Sequence, residues 1–119
     1  MRGSMNDLPG PVEIPEGVFW QVEWGDNAVE FGRFKDTFDL TPYFAGLPDD
    51  RCQCPHWGYV IKGTLHYRFD DHEETYTAGD AYYAPPGHVP LMEPGLEYVE
   101  ISPAAELAKT MAVVEQNFG

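Results

Sequence analysis

CQCPHWGYVIKG at residues 52–63 and GDAYYAPPGH at residues 79–88 are the two segments that decide the fold. Gly63 allows the chain to reverse between two strands, because glycine tolerates the left-handed backbone that tight turns require. Gly79-Asp80 begins a strand directly out of another tight turn. Pro85-Pro86-Gly87 interrupts a β-ladder, since proline has no backbone N–H to donate. The two segments therefore predict short consecutive strands that meet at sharp corners.

Short strands continue outward from these segments along most of the chain. Predicted strands lie at 18–24, 28–34, 56–62, 64–70, 73–77, 80–84, 88–93 and 96–101. Many short strands with turn residues at this pitch are typical of a sandwich or barrel. A chain of 119 residues suits one domain, and we place this all-β domain at residues 18–102.

The two ends of the chain follow other patterns. Residues 1–4 look like a vector-derived leader. Residues 5–17 are expected to form an arm on the surface or on a partner subunit. Thr41-Pro42 pairs a hydroxyl cap with a first-position proline and predicts a helical turn at 42–45.

Ser102-Pro103 repeats this cap-and-proline pattern before an amphipathic segment. Apolar residues then recur at helical spacing, at Leu107, Met111, Val114 and Phe118. The pattern predicts a helix at 103–117 that covers the barrel or a dimer seam.

The two deciding segments resemble the two motifs of the cupin superfamily, G-x5-H-x-H-x(3,4)-E-x6-G and G-x5-P-x-G-x2-H-x3-N. His56 lies seven residues before Gly63, where the family usually carries Glu and some members carry His. Residues 79–87 match the opening of the second motif. The chain is also similar to a subset of small single-domain bacterial cupins with C-x-x-P-H-x-G-Y-V and P-P-G-H segments. The resemblance implies a double-stranded β-helix (jelly-roll) barrel with a polar pocket.

The resemblance also implies a metal site near this pocket. Its candidate ligands are His56 and His88, with Cys52 and Cys54 in place of the two histidines of the first motif. Cysteines two residues apart bridge only with strain, so we expect both thiols to be reduced. Imidazole and thiolate suit one divalent ion, zinc first, with iron or copper as alternatives. The alternative interpretation is that the histidines bond within a polar core and that the thiols are buried core residues.

Further candidates surround the same segments. Glu100 and His66 are candidate catalytic acids or bases, although each also suits an exposed strand position. Aromatic residues predicted to line the pocket, or else to pack in the core, are Trp57, Tyr59, Tyr82 and Tyr98.

Charge and hydropathy exclude several classes of function. Twenty acidic residues oppose seven basic ones, giving a net charge of −13 without a basic cluster, so we expect no nucleic-acid partner and no anionic membrane. No stretch approaches a membrane span and no signal peptide is evident, which predicts a cytoplasmic location.

These features lead to two hypotheses about function. The first is a metal-binding cupin that acts on a small organic molecule as an oxygenase, isomerase or lyase. The second is a non-catalytic module that binds a small ligand without an obligatory metal. In both cases we expect a homodimer, because the open edge of a sheet needs covering and the arm at 5–17 can pair with a neighbour.

Overall fold

Ten β-strands and one α-helix make up most of the computed structural model, which describes residues 1–5 and 7–118. The strands are β1 Val12–Ile14, β2 Gly17–Trp24, β3 Asn27–Phe34, β4 Phe38–Asp39, β5 His56–Lys62, β6 Thr64–Arg68, β7 Glu73–Thr77, β8 Ala81–Ala84, β9 Val89–Met92 and β10 Glu97–Pro103. The helix α1 is Ala104–Phe118, and short 3-10 helices lie at Thr41–Phe44 and Pro48–Asp50.

The strands form two antiparallel sheets. The larger sheet has the order β1-β2-β3-β10-β5-β8, and the smaller has the order β4-β9-β6-β7. Non-consecutive neighbours such as β3, β10 and β5 bring distant parts of the sequence together. This two-sheet arrangement with a C-terminal helix confirms the predicted jelly-roll barrel.

The core lies between the two sheets. Val60, Leu65 and Leu96 have no exposed surface, and the rings of Phe34 and Tyr98 stack beside them. Side chains alternate along each strand, so one face of every strand contributes to this interior. The burial of these apolar side chains is the main stabilisation of the barrel.

The helix α1 packs on one end of the barrel. Leu107 and Val114 are buried against Phe44, Leu47 and neighbouring residues. The predicted Ser102 cap is wrong, because Ser102 and Pro103 still belong to β10 and the Ser102 hydroxyl contacts a histidine inside the barrel.

The predicted cap at Thr41 also differs in the structure. Thr41 lies inside its 3-10 helix rather than capping it, and the Asp39 carboxylate accepts hydrogen bonds from its backbone N–H and its hydroxyl. In the N-terminal arm, β1 pairs with β2 of the same chain. Over these three residues the arm adds an edge strand to the larger sheet of its own chain.

None of the helices in the described parts of the chain combines the length and the apolar character that a bilayer span requires.

Candidate metal centre and carboxylate pair

The two sheets and α1 line a cavity of about 80 Å³. Its polar wall includes Glu30, Cys52, His56, Tyr67, His88, Tyr98, Glu100 and Thr110. Its apolar wall includes Leu107, Met111, Val114 and Phe118 of α1. The helix therefore supplies part of the apolar wall beside a group of polar side chains.

Backbone pairing brings His56, His88 and Cys52 together. His56 is the first residue of β5, and an isolated antiparallel bridge joins Cys52 to His88 immediately before β9. The backbone N–H of Cys52 donates to the carbonyl of His88 at 2.9 Å. The two imidazole rings face each other with centroids 4.8 Å apart. Both histidines thus point inward across one cavity, as the motif register predicts.

The surroundings of His88 determine which nitrogen carries its proton. Its Nδ1–H donates to the carbonyl of Pro85 at 2.7 Å, which leaves a lone pair on Nε2. That nitrogen is buried and has no hydrogen-bond partner. Burial and the neighbouring His56 lower the pKa of His88 to about 3. The ring is therefore neutral at physiological pH, with an unpaired acceptor facing the cavity.

His56 is oriented from the opposite side of its ring. Its Nδ1 lies 2.6 Å from the hydroxyl oxygen of Ser102, and its Nε2 lies 3.7 Å from Sγ of Cys52. Burial lowers the pKa of His56 to about 4. The approach of Glu100 Oε2 to Nδ1 at 3.7 Å is consequently not an ion pair at neutral pH.

Cys52 completes a set of three potential ligands. Its Sγ lies 3.3 Å from the hydroxyl of Thr110 on α1, and burial raises the pKa of the thiol to about 11. The ligand atoms of Cys52, His56 and His88 all lie within 4.8 Å of one another. Tetrahedral zinc ligands at about 2.0–2.3 Å from the ion lie roughly 3.5 Å apart. The three residues therefore fit a zinc-like ion after a shift of about 1 Å in the widest pair.

Cys54 lies outside this group. Its Sγ faces the carbonyls of Pro55 and Pro103 at 3.4 and 4.0 Å, and burial raises its pKa to about 12. It packs in the cluster beneath α1. Of the two candidate cysteines, only Cys52 therefore lies beside the two histidines, because the chain between Cys52 and His56 turns the thiol of Cys54 away.

Glu100 is buried and faces the cavity, and it lies directly opposite Glu30 in the register of β10 and β3. Burial raises the pKa of both carboxyl groups to about 7, and the charge of Glu100 adds to the effect on Glu30. Sequence reasoning missed Glu30. Ala28 and Gly32 share its strand face, but the opposite face of β3 is equally apolar, so this alternation gave only a weak signal.

Three tyrosine hydroxyls hold the two carboxyl groups. Tyr67 and Tyr82 donate to Glu100, the latter at 2.7 Å, and Tyr98 donates to Glu30. The amide of Gln21 also donates to Glu30 at 2.6 Å. These bonds lower the pKa of each carboxyl group and so oppose part of the effect of burial.

Glycines make room for two of these tyrosine rings. A Cβ on Gly32 would lie 2.3 Å from the ring of Tyr98, and one on Gly58 would lie 2.3 Å from the ring of Tyr82. Neither ring can move easily, because both tyrosines are buried. Of the four predicted pocket aromatics, Tyr98 lines the cavity and Tyr82 reaches Glu100 behind it.

Three predicted site residues lie elsewhere. Trp57 and Tyr59 point outward and are 50% and 45% exposed, because they alternate with the inward His56 on β5. His66 lies on the outer face of β6, where its ring contacts Thr75 at 3.0 Å and Glu93 at 2.6 Å. These three residues therefore do not contribute to the cavity.

The comparisons with known proteins agree with this architecture. The model of the cupin domain family matches residues 52–90. The chain is similar to an RmlC-like cupin from Shewanella frigidimarina, with 17% identity, a TM-score of 0.61 and coverage of 91% of this chain and 96% of that one. It is also similar to the EutQ protein of Clostridium difficile, with 17% identity, a TM-score of 0.56 and coverage of 84% and 73%.

A third similar structure is a mutant oxalate decarboxylase from Bacillus subtilis, with 18% identity and a TM-score of 0.61. The match covers 84% of this chain and 28% of that enzyme, so the chain spans about a quarter of its length. No curated protein sequence matches the chain. At these identities the structural likenesses establish the fold alone. The family match at residues 52–90 and the structural likenesses over most of the chain together support a cupin-type fold.

Proposed function

We propose that the protein is a metal-binding cupin that holds one divalent ion at Cys52, His56 and His88 and acts on a small organic molecule in the adjoining cavity. The observation that supports this most directly is the buried Nε2 of His88, which has a lone pair and no partner. Leaving such an atom unpaired costs about 1–3 kcal/mol. A metal ion at this position would remove that penalty.

The donor set favours zinc, with iron or copper as alternatives. Two neutral imidazoles and one thiolate are borderline and soft ligands. Three protein ligands leave a fourth position open, as in catalytic rather than structural zinc sites. Bound there, the ion would polarise an oxygen of the substrate.

The residues of the chain supply the rest of the proposed chemistry. Ser102 orients His56 through Nδ1, so that Nε2 faces the ion. Glu100 lines the same cavity and can take or give a proton at its carboxyl oxygens. We therefore favour Glu100 over His66 as the acid or base. A positioned carboxyl group suits isomerase or lyase chemistry, in which a proton moves on the substrate.

The second candidate function is a non-catalytic module that binds a small ligand. The small size of the cavity, about 80 Å³, and the apolar residues that α1 contributes to its wall favour this candidate. Calorimetric titration with imidazole distinguishes the two. Zinc-dependent binding, abolished by a chelator, supports the metal centre. Equal binding to zinc-loaded and chelator-treated protein supports the module.

Cobalt(II) substitution tests the ligand set. We expect the wild-type protein to gain thiolate-to-cobalt charge-transfer absorption and the intense visible bands of a four-coordinate ion. The C52S variant should lose the charge-transfer absorption. C54S is a matched control, because Cys54 is equally buried but faces away. A wild-type protein without these bands, or equal losses in both variants, would contradict the proposal.

A further inference from the structure

The cavity wall presents hydrogen-bond acceptors and lacks cationic side chains. No lysine or arginine lines it in the parts of the chain that the structure describes. Glu30 and Glu100 both contribute carboxyl groups to the wall. From this wall we infer that the site selects a neutral or cationic small molecule that carries a hydrogen-bond donor, such as a hydroxyl or an amine, and rejects small anions.

The tyrosines strengthen this inference, because their donors are already engaged. The hydroxyls of Tyr67 and Tyr82 donate to Glu100, and that of Tyr98 donates to Glu30. An anionic ligand would therefore find few free donors in the wall. A ligand that brings its own N–H or O–H would satisfy carboxyl oxygens that the tyrosines leave available.

The charge count leads to the same conclusion when a divalent ion is bound. A thiolate at Cys52 cancels one of the two positive charges, and the acidic side chains of Glu30 and Glu100 in the same wall offset the other. The loaded site then has no excess positive charge to attract an anion, although bound metals often provide one. This part of the inference rests on the proposed function.

Two probes of the cobalt-loaded protein test the inference, azide as a small anion and imidazole as a neutral ligand. We expect azide to bind at least about tenfold more weakly than imidazole, as read from the visible spectrum. E30Q should strengthen azide binding about tenfold and change imidazole binding less than about twofold. E115Q is the matched control, since it removes one exposed acidic charge from α1.

Two results would overturn the inference, namely azide binding as tight as imidazole binding, or azide affinities that E30Q leaves unchanged. Both outcomes are distinguishable from failure of the proposed function. If the proposed function failed, the protein would take up no cobalt, and its spectrum would show no cobalt bands before either probe was added.

A separate observation concerns the outer face of the larger sheet. Five large apolar side chains there are each 40–50% exposed, and they are Trp57, Tyr59, Ile61, Tyr83 and Ile101. In the strand register, Trp57 lies between Tyr83 on β8 and Ile101 on β10, and its ring lies 5.1 Å from that of Tyr83. The five residues, here called the outer patch, form one continuous apolar surface.

We propose that the outer patch is the interface with a second copy of this chain. It carries no charge, whereas the chain has a net charge of −13, so two copies repel each other least when they meet here. Lys62 and Glu97, 3.8 Å apart, place both signs of charge at its rim, which suits a symmetric contact. The five side chains expose roughly 450 Å², over half of the about 800 Å² that each partner contributes to a standard interface.

Light scattering after gel filtration tests this interface. At about 10 μM we expect a dimer for the wild-type protein and monomers for Y59E and Y83E, each with an unchanged circular dichroism spectrum. V12E is the control, because Val12 is 47% exposed but lies at the opposite edge of the sheet. A monomeric wild-type protein, dimers that survive both patch variants, or dissociation by V12E would each refute the proposal.

Discussion

The hydroxyl oxygen of Ser102 lies 2.6 Å from Nδ1 of His56, inside the barrel and at the end of β10. This contact fixes the rotation of the imidazole, so that its Nε2 faces Sγ of Cys52. In metal-binding histidines, the ring nitrogen that does not bind the metal usually makes a hydrogen bond to another protein group. Ser102 is thus a positioning residue for the proposed metal centre, because it acts through His56.

S102A should weaken zinc binding about 10- to 100-fold, because the His56 ring loses its orientation. Competition with a chromophoric chelator measures the affinity. S102T keeps the hydroxyl and should recover most of it. A purely structural role would instead lower the unfolding free energy of S102A and leave its zinc affinity at the wild-type value.

The stability of the metal-free protein should depend on pH through Glu30. Burial and the charge of Glu100 raise the pKa of Glu30 from 4.5 to about 7. Between these values the folded chain keeps a proton that the unfolded chain has lost, so the contribution of Glu30 to stability falls as the pH rises. Between pH 5 and pH 8 we expect the wild-type protein to lose roughly 3 kcal/mol relative to E30Q.

Urea unfolding of both proteins in the presence of a chelator, at several pH values, measures this difference. The comparison with E30Q is necessary because the pKa values of buried His56 and His88 are lowered. Those histidines increase stability as the pH rises through the acidic range, which is the opposite slope. A difference between wild type and E30Q that is constant with pH would contradict the environment described for Glu30.

G32A should destabilise the protein by about 1–3 kcal/mol, because its Cβ would overlap the buried ring of Tyr98. Thermal or urea unfolding gives the value. In a Y98L background the overlap is reduced, so the same substitution should cost clearly less. Equal costs in the two backgrounds would show that Gly32 does not make room for Tyr98.

The sequence predicted the convergence of His56 and His88 correctly because the spacing of turn residues fixes the strand register. The outward positions of Trp57 and Tyr59 were also present in the pattern. Once His56 points inward, the two-residue period of β5 turns both aromatics to the other face. Their size and their proximity to the motif suggested that they line the pocket. Strand alternation instead places both rings on the outer face of the sheet.

Other parts of the site depend on long-range pairing that the local pattern does not contain. β3 carries apolar residues on both faces, with Glu30 on one and Arg33 on the other, so alternation alone could not assign Glu30 to the interior. Only the pairing of β3 with β10 places it opposite Glu100. Ser102 similarly resembles a helix cap until β10 is seen to continue beyond it.

The metal content of the purified protein tests the central claim most directly. After incubation with zinc and desalting, elemental analysis should find about one ion per chain in the wild-type protein. It should find about one also in the control H66Q/H72Q, whose histidines lie outside the cavity, and almost none in H56Q/H88Q. Negligible zinc in the wild-type protein, or wild-type zinc content in H56Q/H88Q, would contradict the proposed metal centre.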